Sequence, residues 1–400
     1  MSTITVDQVK TIKTLNNIAK SGLNVFNQDH YTIDNNSETP DAIMLRSFNM
    51  HSLEFDQNLK AIARAGAGVN NIPVERCTEQ GIVVFNTPGA NANAVKELVL
   101  TCLMASSRNL FEGITWTKAL DGEGDQIPKL VEAGKKQFVG KEIKGKTLGV
   151  IGLGAIGARV ANDALELDMD VIGFDPFISV DTAWNLSRNV QRAMTIEQLF
   201  ANSDYITVHV PLTDNTRGMF NTETFAIMKD GVNIFNFSRG ELVNEDDMGE
   251  ALESGKVGKY VTDFPNAKVI KMKNVVPIPH LGASTEESEE NCAIMAARQL
   301  KDFLETGNIK NSVNFPNAFL EYAGKTRVAA FHKNVPNMVG QITSAISNYN
   351  LNIADMVNRS RGEYAYTMID IEDQVNGEVI PAIEEKISQI SGIVNVRIIK

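Results

Sequence analysis

One segment restricts the fold of this chain more than any other: LGVIGLGAIGARVANDALEL, in which an apolar strand runs into Gly152, Gly154 and Gly157 and then into a helix. Only glycine lets a backbone turn that tightly, approach a pyrophosphate and seat the helix against the strand. The first amides of the helix, those of Ala155 and Ile156, are then available to phosphate oxygens. A second apolar strand, MDVIGFD, ends at Asp175, 18 residues beyond Gly157. That matches the spacing of about 20 residues expected of an acid that accepts hydrogen bonds from the adenosine ribose hydroxyls. A carboxylate there repels a 2′-phosphate, so the pattern points to NAD rather than NADP and to a Rossmann-type unit.

Four hundred residues exceed what one core serves and predict three domains. From Ala42 onward short apolar runs such as AIMLR and GIVVFN alternate with amphipathic stretches, the pattern of an α/β fold with a parallel sheet. Residues 94–111 carry apolar side chains all round a helical period and predict a buried helix, followed by a polar, glycine-containing stretch to about residue 144. IGFD, YITVHV, VNIFNFS, YVTDF and VVPIPHLG then read as strands whose C-terminal ends carry the polar residues. Residues 311–324 read as a linker, because Pro316, glycine and asparagine interrupt any period. Beyond Thr326 the order β-α-β-β-α-β predicts a ferredoxin-like unit.

A net charge of −11 argues against a broad nucleic-acid or anionic-lipid surface. No stretch of about 18 residues escapes charges and glycine, so no membrane span is expected. Cys77, Cys102 and Cys292 have neither metal-knuckle spacing nor the even count of a disulfide framework, which fits a reducing cytoplasm and no metal.

FNFSRGELVN, YVTDFP and VPIPHLGAST each place a polar residue at a strand end: Arg239, Asp263 and His280. The set suits oxidation of a 2-hydroxy acid. A guanidinium fork clamps the carboxylate and polarises the carbonyl, while an imidazole takes the hydroxyl proton as hydride leaves for nicotinamide.

With RSFN at Arg46, ARAGAGVNNI at Arg64, NTPGANANAVKEL, GKTLGVIGLGAIG, HVPLTDNTRGMF, NFSRGELV and PHLGASTEESEENC, the chain resembles the D-2-hydroxyacid dehydrogenase family, and within it the branch acting on D-3-phosphoglycerate. The resemblance implies that Arg239 orients the substrate, that His280 is the acid/base and that Asp263 holds the nicotinamide amide. It implies Val210, Pro211 and Ser238 as cofactor-lining residues, and Arg46, Ser47 and Asn91 as substrate-binding positions. Backbone amides of Gly66, Ala67 and Gly68 would take the substrate carboxylate. A flavodoxin-like substrate domain (1–92 and 283–315), interrupted by the NAD domain (93–282), and a homo-oligomer, dimer or tetramer, are also implied.

The chain departs from the family where a glutamate normally pairs with the histidine. FPNAKVIKMKNVVPIP, between Asp263 and His280, holds no carboxylate but has Lys268, Lys271 and Lys273. Either Lys268 assists proton transfer or draws in the substrate phosphate, or this is a solvated basic loop. The tail (325–400) resembles an ACT domain through FHKNVPNMVGQI and NYNLNIADM, although Asn337 and Met338 replace a glycine and a leucine. His332, Asn334 and Asn352 match effector-binding positions, which implies L-serine as a regulatory ligand or, alternatively, a module kept for subunit pairing. Two rival readings stay open: another D-2-hydroxy acid as substrate, or a non-catalytic NAD sensor.

Overall fold

A computed structural model describes residues 9–372, 375 and 379–400. The first eight residues of the expected substrate domain lie outside that range. The chain divides into two compact units, Asn91–Ser288 and Met1–Ala90 with Glu289–Lys400. Among the described residues no helix is long and apolar enough to cross a membrane.

The Asn91–Ser288 unit is built on a seven-stranded parallel sheet. Its spatial order is Val275–Pro277, Val257–Thr262, Val232–Asn236, Tyr205–Val208, Thr147–Ile151, Asp170–Phe174 and Gln191–Arg192. The order reverses at Thr147–Ile151, the doubly wound pattern that places ligands at the C-terminal strand ends. Both faces are covered, so Tyr205–Val208 is wholly buried and Thr147–Ile151 almost so. The helix Gly157–Glu166 buries Gly157, Ala158, Val160, Ala161 and Ala164, small residues that let it sit close to the sheet.

The helix expected over 94–111 runs from Ala92 to Ser107 and buries one face only, leaving Met104 exposed. It stops where Asn109 takes a left-handed φ of 50°, and a new helix Leu110–Lys118 begins. The polar stretch that follows contains the helix Ile127–Gly134; neither of these two helices has a buried residue.

In the other unit a five-stranded parallel sheet has the order Tyr31–Ile33, Lys10–Leu15, Ala42–Leu45, Ala61–Arg64, Val83–Phe85, which is flavodoxin-like. The C-terminal strands form an antiparallel sheet in the order Ile353–Arg361, Tyr364–Ile371, Arg327–Lys333, Ile393–Ile399. The helices Met338–Ser347 and Val379–Ser388 cover one of its faces, through Ile342, Ile346, Ile383 and Ile387. This is the ferredoxin-like order.

The stretch 311–324, expected as a linker, contains no helix or strand, and it is packed rather than loose. Phe315 is fully buried with its ring 4.5 Å from Phe331, and the Asn314 side chain accepts from Val84 N and donates to Ile82 O. The uncovered face of the C-terminal sheet therefore packs, through Phe331, Tyr366 and Met368, into the core that holds Phe85, Leu300 and Phe303. Arg327, with no exposed surface, clamps Asp370 with two hydrogen bonds of 2.6 and 2.8 Å. It also donates to the carbonyls of Thr306, Leu320 and Glu321. The tail is thus packed into one unit with the first sheet, where composition had suggested a separate body.

Candidate active site

The glycine turn closes as its spacing requires. Gly152 has φ +84°, and a Cβ there would lie 2.6 Å from the His209 carbonyl oxygen and 2.9 Å from a Val210 methyl. A Cβ on Gly157 would lie 1.9 Å from Gly152 O, whereas one on Gly154 would meet nothing within 4 Å. Two glycines are therefore demanded by packing, and the third borders open space where a pyrophosphate can approach. Ala155 and Ile156 sit at the start of the Gly157–Glu166 helix. Asp175 accepts from Leu153 N at 2.9 Å and from Phe177 N at 2.8 Å, so its carboxylate is fixed against the turn while keeping lone pairs for a ribose. Ser238 donates to Val208 O at 2.7 Å and ties two strand ends together, and Thr216 donates to Pro211 O at 2.7 Å.

At the same edge Asp263 follows the strand Val257–Thr262 and is 1% exposed, with Oδ1 lacking a hydrogen-bond partner among the described residues. Burial raises its pKa, and the charges of His280 and Arg239 pull it back down. Phe264 joins these groups: its ring stands 4.9 Å from that of His280, edge to face, and its Cβ lies 3.4 Å from where a Cβ on Gly240 would be. The exposed Arg239 donates to Ser238 O at 2.6 Å, while Asn236 holds Arg239 O at 2.8 Å. A buried carboxylate with an unused oxygen beside an exposed imidazole and guanidinium suits a carboxamide donor, so the residues present fit a nicotinamide. Lys268, by contrast, makes an exposed ion pair with Asp246 at 2.5 Å, as a solvated basic loop would.

His209 was noted only as part of a motif. Its Nε2 is 2.9 Å from Thr207 Oγ1, its Nδ1 is enclosed without a partner, and burial pushes its pKa down to about 3. Phe264 was also missed, although its position next to Asp263 in YVTDF was a signal.

In the other unit Arg46 pairs with Glu289 at 2.6 Å, a partner that sequence spacing could not reveal. Asn16 Oδ1 accepts from the amides of Ser47 and Phe48 and shapes that loop. Gly66 has φ +154°, with Arg64 Nη1 2.6 Å from a Cβ placed there, and Arg64 Nε donates to Arg46 O at 2.9 Å. Asn86 holds Ala67 O at 2.7 Å, and a Cβ on Gly68 would lie 3.6 Å from Arg64 Nη1. These elements bring Arg46, Ser47, Gly66, Ala67 and Gly68 onto adjoining loops. Asn91 is the first residue of the other unit, preceding the helix Ala92–Ser107. In the tail His332 is 2% exposed, with Nδ1 2.8 Å from Lys333 O and Nε2 2.8 Å from Thr367 Oγ1. Asn334 donates to Gly362 O at 3.2 Å, and Asn352 donates to Glu372.

Residues 100–282 match the family described as the NAD-binding domain of D-isomer specific 2-hydroxyacid dehydrogenases. A hydroxypyruvate reductase of Thermotoga maritima is 39% identical over 264 residues, which are 64% of this chain and 80% of that relative. The chain belongs to the D-isomer specific 2-hydroxyacid dehydrogenases. A D-3-phosphoglycerate dehydrogenase of Methanocaldococcus jannaschii is 35% identical to this 2-hydroxyacid dehydrogenase over 325 residues, 80% of this chain and 59% of that relative. The chain spans only 52–59% of the length of three curated relatives of that name. A solved 3-phosphoglycerate dehydrogenase of Entamoeba histolytica with bound NAD+ superposes with a TM-score of 0.58 at 27% identity, over 78% of this chain and all of that one.

Proposed function

We propose that this 2-hydroxyacid dehydrogenase oxidises D-3-phosphoglycerate to 3-phosphohydroxypyruvate with NAD, the opening step of phosphorylated L-serine biosynthesis. The observation that carries the chemistry is the convergence of Arg239 and His280 on the buried Asp263 at the strand ends that also carry the glycine turn. The substrate follows the relatives named D-3-phosphoglycerate dehydrogenase. NAD supplies the hydride acceptor. Gly152, Gly154, Ala155, Ile156 and Gly157 receive its pyrophosphate, Asp175 its ribose and Asp263 its carboxamide, with Val210, Pro211 and Ser238 alongside. Arg239 grips the substrate carboxylate, and His280 Nε2 or Nδ1 accepts the C2 hydroxyl proton. Arg46, Ser47, Asn91 and the Gly66–Gly68 amides hold the rest of the substrate, which requires Arg46 to leave Glu289 or to share it.

In this reading residues 1–92 and 283–315 form the substrate domain, 93–282 the NAD domain and 325–400 an ACT-like module that responds to L-serine through His332, Asn334 and Asn352. The enzyme works in the reducing cytoplasm as a homo-oligomer, consistent with three buried free cysteines and with the unburied helices Leu110–Lys118 and Ile127–Gly134. The relative named hydroxypyruvate reductase favours a second reading, an unphosphorylated 2-hydroxy acid as substrate. Initial rates of NAD reduction with D-3-phosphoglycerate, D-glycerate and D-lactate separate the two: equal or better kcat/KM without the phosphate overturns the first. Absence of hydride transfer with every acid, unchanged in Arg239→Ala, leaves an NAD sensor. Calorimetry with L-serine that shows no heat removes the regulatory assignment.

A further inference from the structure

The Rossmann sheet has a second populated end. At the N-terminal ends of Thr147–Ile151, Tyr205–Val208, Val232–Asn236 and Val257–Thr262, opposite the glycine turn, lies a cavity of about 310 Å³. Lys141, Lys146, Lys229, Lys259, Ser106 and Asn233 are among its walls. The acids in and around it have neighbouring donors. Asp204 accepts from Thr147 N at 2.9 Å and Lys229 at 3.0 Å, Asp230 pairs with Lys256 at 2.8 Å, and Glu112 Oε1 with Lys259 at 2.5 Å, which leaves Glu112 Oε2 buried without a partner among the described residues. Lys141 and Lys146 are left without a contact ion pair among the described residues.

Two further features make this a shaped site rather than a scatter of surface lysines. Ser106, 2% exposed, has a buried hydroxyl with no hydrogen-bond partner among the described residues, an arrangement that normally costs stability unless something supplies the missing bond. Gly140 and Gly258 bring backbone against backbone in the wall. A Cβ on the first would lie 2.3 Å from Ser107 O, and one on the second 2.7 Å from Gly231 O. In a chain of net charge −11, a pocket walled by Lys141, Lys146, Lys229 and Lys259 against Asp204 and Asp230 is a local reversal of the overall field.

We propose that this cavity binds a phosphate group, either free or carried as a small phosphomonoester, on the side of the NAD domain away from hydride transfer. Lys141 and Lys146 neutralise the dianion and the Ser106 hydroxyl donates to one of its oxygens. The site does not depend on which 2-hydroxy acid the enzyme oxidises.

The full chain, saturated with NAD, is titrated with inorganic phosphate and, separately, with glycerol 2-phosphate, by calorimetry at constant ionic strength set with chloride. The titrations are repeated on Lys141→Gln, Lys146→Gln, the double variant and Ser106→Ala. Each lysine removed weakens binding about tenfold, the worth of one charge-assisted contact. Lysine-dependent binding of only one ligand identifies the source of the phosphate group. Affinities for both ligands that are unchanged in the double variant, or no binding of either to the unmodified protein in the millimolar range, overturn the site. Lys146→Arg, which keeps the charge, retains binding and separates loss of the ligand from loss of the fold.

Discussion

His209 links the dinucleotide turn to the acid stability of its unit. Folding leaves its Nδ1 enclosed and unpartnered and lowers its pKa from 6.5 to about 3, so the folded chain holds the imidazole neutral where the unfolded chain protonates it. Stability derived from the neutral ring is complete above the unfolded value of 6.5 and is lost as pH falls toward about 3. Between pH 7 and pH 5 the unfolded chain passes about 1.5 pKa units below its midpoint, worth about 2 kcal/mol at 1.36 kcal/mol per unit. His209→Gln keeps a neutral polar side chain and removes the titration. Denaturant unfolding at both pH values, followed by fluorescence, should show the variant losing about 2 kcal/mol less than the parent over that interval. Equal acid-induced losses in the two proteins, or an NMR titration placing His209 near its unfolded value, would refute the reasoning.

Arg327→Met strands Asp370 and three carbonyls in a dry interface and should cost about 3–5 kcal/mol, seen as a lowered denaturation midpoint, whereas Arg327→Met with Asp370→Leu should recover much of it. Gly157→Ala places a methyl 1.9 Å from Gly152 O, so NADH fluorescence titration should show cofactor binding lost or severely weakened. Because burial raises the Asp263 pKa, its ionised form is strained in the fold. Asp263→Asn should therefore gain stability relative to the parent as pH rises above the carboxylate range and lose that gain in acid. The same variant removes the carboxylate oxygen left free for a carboxamide donor, so kcat should fall.

Much of the site was legible because strand ends announce themselves. Gly152, Gly157 and Asp175 are adjacent in a short βαβ stretch, so their geometry follows from local covalent limits, and the structure places them together. Arg239, Asp263 and His280 were legible as polar residues that close apolar runs. Their relation through Phe264 was not, because it depends on neighbouring strands aligning in register. Lys268, read either as an active-site lysine or as part of a solvated basic loop, makes an exposed pair with Asp246: distance along the chain does not say which acid a flexible ammonium will reach.

The order of apolar runs, glycines and terminal acids alone determined the two parallel sheets, the ferredoxin-like tail and the dinucleotide turn, since each depends on periodicity and backbone freedom within about 30 residues. Tertiary structure alone decided that Phe315 anchors the linker in the core and that Arg327 ties it to the tail, joining the tail to the first sheet. It alone paired Arg46 with Glu289, and it alone left Lys141 and Lys146 facing a cavity with an unbonded serine. Those outcomes turn on which distant side chains share a desolvated volume, and a linear pattern carries no record of that.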